Sequence, residues 1–176
     1  PSLDNPIVVE KTYDNVEWYQ INRSYLKKYF SAGTPLVPEF KESLFRKTKK
    51  DNTYRVFCLG ESSMFGTPYQ MTANIPGLLR KQLRNAYPDR DIEVVNWGAS
   101  AINSNQILDL SKTIAQFKPD LICVYMGHNE FYGPEGVSAS WLQRTFPSLI
   151  PLTYFIRELR LVKVISGFLF KNDQAG

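Results

Sequence analysis

The chain has 176 residues, 43% hydrophobic and 14% aromatic, with a formal net charge of +4. That is enough for one domain with an ordinary core, and it excludes a disordered or low-complexity chain. Seventeen acidic residues are scattered among the basic ones, so no face suited to nucleic acid stands out; two cysteines and one histidine offer little for a zinc site. No cofactor or metal is expected.

Residues 1–50 have no clean periodicity. They mix Tyr13, Trp18, Tyr19, Tyr25, Tyr29 and Phe30 with Pro35 and Pro38, and they end in the basic run Arg46–Lys50. The aromatics indicate an N-terminal arm packed on the rest, and the basic run reads as a solvated face. The domain proper is expected over residues 51–176.

From Tyr54 the pattern changes. Tyr54–Leu59 is a short apolar, β-prone run ending at Gly60, as buried parallel strands read. Asn74 is a candidate N-cap, with Pro76 in the first turn and Leu78, Leu79, Leu83 and Tyr87 at helical spacing. Asp91–Asn96 is a second strand. Ile107, Leu108, Ile114 and Phe117 mark a second helix, starting near Asn103 or Ser104 and stopped by Pro119. Asp120–Tyr125 is a third strand, ending at Gly127. Cys58 and Cys123 lie inside these apolar runs and read as small buried hydrophobes. Alternating strands and helices predict a parallel α/β sheet. Residues 149–170 are apolar with Arg157, Glu158, Arg160 and Lys163 among them. These charges argue for an amphipathic helix, covering the domain or lying on a membrane surface, rather than a span.

Sites in open α/β sheets form beyond the carboxyl ends of the strands. Three segments lie there: Gly60-Glu61-Ser62-Ser63, Asn96-Trp97-Gly98-Ala99 and Gly127-His128-Asn129-Glu130. The first is not a phosphate loop, because five residues separate Gly60 from Gly66 and Thr67 follows without a lysine. A serine between a strand and a helix is well placed as an exposed nucleophile, although such serines also cap turns, which is the preferred reading of Ser63. Acyl transfer further needs donors aimed at a developing oxyanion; a backbone N–H at Gly98 and the amide of Asn129 are of that kind.

These blocks resemble the SGNH/GDSL hydrolase superfamily. Gly60-Glu61-Ser62 is similar to its Gly-Asp-Ser block, with glutamate for aspartate. Gly98 matches its second-block glycine, and Gly127-His128-Asn129-Glu130 its Gly-x-Asn-Asp block, again with glutamate for aspartate. Segments Arg55–Tyr69 and Tyr125–Gly133 resemble bacterial SGNH domains of membrane-anchored proteins most closely. The resemblance covers roughly residues 54 to 135. It implies a three-layer flavodoxin-like parallel sheet with flanking helices, of which three of about five strands are legible here. It also implies Ser62 as nucleophile, with Gly98 and Asn129 completing the oxyanion hole around it. Gly60, Glu61, Gly127, His128 and Glu130 would be supporting residues. His128 is expected to structure its loop, and Glu130 to hold the third loop by accepting hydrogen bonds.

The family's fourth block, Asp-x-x-His, has no counterpart, since His128 is the sole histidine. The chain is therefore expected to be the front part of such a domain and to have little esterase activity by itself. The implied function is a serine esterase or deacylase acting through an acyl-enzyme. The alternatives are a cell-envelope glycan O-acyltransferase and a non-catalytic subunit of a membrane-associated assembly. Expected partners are an acylated small molecule or glycan, and a further stretch of the chain or another subunit completing the sheet. Membrane contact would run through 149–170, and no nucleic acid is expected. The resemblance implies an extracytoplasmic, periplasmic location behind an anchoring segment not contained in these residues.

Overall fold

The computed structural model describes residues 6–30, 37–69 and 73–130, together with Leu152. The amphipathic helix expected over 149–170 lies outside that range. Among the described residues no helix is long and apolar enough to cross a membrane.

Two sheets organise these residues into a mixed α/β fold. The first is antiparallel, in the order β1 (Val8–Tyr13), β2 (Val16–Ile21), β3 (Leu44–Arg46). Asp14 and Asn15 join β1 to β2 with φ of 49° and 60°, the pair of positive values that a two-residue hairpin turn needs. A 3-10 helix, Arg23–Tyr29, follows, with the Asn22 side chain accepting from the Ser24 N–H. The arm expected over residues 1–50 is thus a sheet with its own helix, which the absence of clean periodicity did not suggest.

The second sheet is parallel, in the order β5-β4-β6, with β4 (Thr53–Gly60) between β5 (Asp91–Gly98) and β6 (Leu121–Tyr125). A short helix α1 (Ser62–Phe65) leaves β4 directly. Helix α2 (Ile75–Ala86) leads to β5, and α3 (Ser104–Ile114) followed by a 3-10 turn (Ala115–Phe117) leads to β6. Asn74 caps α2 by accepting from the Gly77 N–H at 2.9 Å. Asn103 and Gln106 form a capping box on α3, satisfying donors that would otherwise be orphaned at its first turn.

Alternation along the central strands divides the interior in two. Phe57, Leu59, Val95 and Trp97 point to one face, where they meet Ile102, Ile107 and Leu110, and Tyr25, Leu26, Tyr29 and Phe45 of the N-terminal arm. Phe57 packs edge-on against Trp97 at 5.0 Å and against Phe45 at 5.3 Å. The arm and the parallel sheet therefore share one core. Val56, Cys58, Ile92 and Val94 point to the other face, covered by Met64 of α1 and by Leu79 and Leu83 of α2. Leu78 and Tyr87, expected on the apolar stripe of that helix, are exposed instead.

The two outer strands differ. Along β5 three outward groups are met by side chains: Arg80 donates to the Val94 carbonyl at 2.6 Å and Arg84 to that of Ile92 at 3.3 Å. Ser43 Oγ accepts from the Asn96 N–H at 3.2 Å. On β6, Leu121, Ile122, Val124 and Tyr125 are all exposed. The basic run is not simply solvated either: Lys47 bridges Glu10 and Glu17, and Lys49 bonds Asp120 at 2.6 Å.

Candidate functional site

Register brings the three expected segments together. Gly60 is the Cα partner of both Gly98 on β5 and Tyr125 on β6, so three loops leave the sheet at one level. The approach is tight: a Cβ on Gly60 would collide with the Tyr125 carbonyl oxygen and with Met64 Cβ. A Cβ on Gly98 would lie 2.5 Å from the Phe65 nitrogen and 2.7 Å from the Met64 carbonyl carbon. Glycine at both places lets α1 settle onto the ends of β4 and β5.

Ser62 is the first residue of α1, and Ser63 is the second; the N-cap is Glu61, without a side-chain capping bond, so Ser63 does not cap the turn. Helix α1 closes at once, the Gly66 and Thr67 N–H groups both donating to the Ser62 carbonyl at 2.9 and 3.0 Å. Gly66 has a φ of 101°, a left-handed value that glycine accommodates without strain. Ser62 is half-buried, and among the described residues neither its hydroxyl nor its N–H has a hydrogen-bond partner.

Glu61 is fully buried. Its Oε1 accepts from the Gly127 and Asn129 N–H groups, each at 3.0 Å, and its Oε2 from the His128 N–H at 2.9 Å. A carboxylate held by three N–H donors makes strong, charge-assisted bonds. The His128 ring is largely exposed, with Nδ1 3.4 Å from Glu61 Oε2. Glu130 accepts from the Ser104 N–H at 3.0 Å and from its hydroxyl at 2.7 Å, tying the third loop to the start of α3.

The expected oxyanion donors differ in their engagements. The Gly98 N–H donates to Asn96 Oδ1 at 2.8 Å, and Asn96 Nδ2 reaches the Phe65 carbonyl at 3.4 Å. Asn129 Nδ2 donates to the Ile102 carbonyl at 3.1 Å, leaving its second N–H. Among these residues the free donors are thus the Ser62 N–H and one N–H of Asn129. Asn96 was not singled out from the sequence, although an asparagine two residues before a strand-end glycine is well placed to accept from its N–H.

Cys58 and Cys123 are paired across β4 and β6, and both are free thiols. Burial, with the neighbouring Cys123 adding to it, pushes the Cys58 thiol up to about 12, so it stays an unreactive thiol at neutral pH. A cleft of about 460 Å³ runs along the outer edge of β5 between α2 and β3, lined by Trp18, Arg46, Arg80 and Glu93; Ser62, Gly98 and Asn129 do not line it. Comparison of the chain with family models, with curated proteins and with solved structures gave no match.

Proposed function

We propose that the chain carries the nucleophile side of a serine acyl-transfer site of the SGNH/GDSL kind, with an ester or acylated glycan as the substrate class. The observation that supports this reading is the single row formed by Gly60, Gly98 and Tyr125. With it, Ser62 stands at the start of a helix beside the loops that carry Gly98 and Asn129, a good place for a nucleophile and an oxyanion donor. Ser62 would attack, and its own N–H with the second Asn129 N–H would receive the oxyanion. His128 faces Glu61 through Nδ1, which fits its reading as a loop-structuring residue. The general base then belongs to a segment beyond the described residues or to another chain, and without it only residual catalysis is expected.

A fluorophosphonate probe tests this on the present chain and on a longer form supplying an Asp-x-x-His segment. Labelling should be slow in the first, rapid in the second, and absent from Ser62→Ala in both. A non-catalytic reading has its own support, because the Gly98 N–H and one Asn129 N–H are already engaged. Two folded proteins that both resist the probe would establish that reading and refute ours.

A further inference from the structure

We infer that Glu61 is the positioning residue that sets Asn129 relative to Ser62, an inference that rests on the acyl-transfer reading of Ser62. Three consecutive N–H groups, those of Gly127, His128 and Asn129, converge on one buried carboxylate. Successive backbone amides turned to one point make a concave nest that ordinarily receives an anion. Here the protein supplies the anion itself, from the residue that immediately precedes the nucleophile.

Met126 packs against the core at the start of this loop, whereas Gly127 beyond it is not confined by packing. Gly127 has a φ of 136°, yet a Cβ built there would meet nothing within 4 Å. The strand that delivers the loop, β6, is itself exposed. Beyond it the loop is held by polar contacts: Glu61 receives its N–H groups, the loop's own Glu130 bonds Ser104 at the start of α3, and Asn129 Nδ2 bonds the Ile102 carbonyl. Of these groups, only Glu61 adjoins Ser62 in the chain. Its main chain is the N-cap of α1 and its side chain holds Asn129, so one residue connects the nucleophile to a donor 67 positions away in sequence. A glutamine at 61 would present one acceptor oxygen and one NH2 group, and that NH2 would oppose an N–H now bonded.

The test compares wild type with Glu61→Gln by amide-resolved NMR and by fluorophosphonate labelling. The Gly127, His128 and Asn129 amide protons should move upfield in the variant. The Asn129 side-chain NH2 pair should shift as its bond to Ile102 is lost, while Ser104, held by Glu130, stays in place. Labelling of Ser62 should slow at least about tenfold, since small misplacements of catalytic groups carry large rate penalties. A folded Glu61→Gln that keeps the wild-type Asn129 side-chain resonances and labelling rate overturns the inference. If wild type and the longer form both resist labelling, the acyl-transfer reading fails, and the resonances alone decide whether Glu61 positions Asn129. Should the glutamine variant not fold, Glu61→Asp, which keeps the charge on a shorter arm, takes its place; unchanged Asn129 resonances there overturn the inference equally.

Discussion

Arg55 is 1% exposed and still charged, which its surroundings make tolerable. Its Nε bonds Glu93 Oε2 at 2.7 Å, its Nη1 the Phe117 carbonyl at 2.7 Å, and its Nη2 the Arg46 carbonyl at 2.8 Å. Truncation would leave a carboxylate and two carbonyls short of a donor in the interior. Arg55→Ala should therefore destabilise the protein by about 3–5 kcal/mol, read as a lower urea midpoint. Roles of this kind were not legible in the sequence. An arginine inside an apolar strand looks like an interruption until Glu93, 38 residues on, is known to face it. Glu61 is the same case: its type and place were evident, but the three N–H groups that give it work become adjacent only once β6 lies beside β4.

Elements were legible where a short-range rule governs them. Strands β4, β5 and β6 are apolar runs bounded by glycine, and the caps Asn74 and Asn103 sit where their helices begin. The Asp14-Asn15 pair, two residues that tolerate positive φ, was also a usable turn signal, whereas three-residue β3 takes its strand character from pairing with β2 alone. In α2 the helical spacing was right and half of the expected residues pack, Leu79 and Leu83, while Leu78 and Tyr87 face outward. At the level of α1, the close contact at Gly98 makes a sharp prediction. In Gly98→Ala the added methyl meets backbone atoms of Met64 and Phe65, which cannot swing aside. The expected cost is about 1–3 kcal/mol, with α1 displaced and probe labelling of Ser62 lost; thermal unfolding and labelling on the same sample check both.

Across the whole molecule, the N-terminal arm is fastened to α3 by a polar cluster as well as by the shared core. Asp109 Oδ2 accepts from Lys28 Nζ and from the Tyr29 hydroxyl, each at 2.7 Å. Burial alone would raise the Asp109 carboxyl, but the bonds from Lys28 and Tyr29 outweigh it and hold the group below its usual range. Burial likewise opposes the charge on Lys28, and Tyr25 and Asp109 outweigh it, holding the ammonium above its usual value. The carboxylate's contribution to stability is present above about pH 4 and fades as pH falls through its depressed value. The ammonium's is present below about pH 10 and fades as pH rises through its elevated one. Asp109→Asn should remove the acid-side part of this dependence and lower stability at neutral pH by about 1–3 kcal/mol, measurable as denaturation midpoints across a pH series.

The opposite treatment of β5 and β6 has a directional consequence. With Arg80 and Arg84 on the outward carbonyls of Val94 and Ile92 and Ser43 on the Asn96 N–H, a strand arriving at β5 would first have to evict two guanidinium groups. Among the described residues, β6 is thus the more open edge of the parallel sheet. A strand added there would sit next to the loop that carries Asn129, so enlarging the sheet would also give that loop a new neighbour.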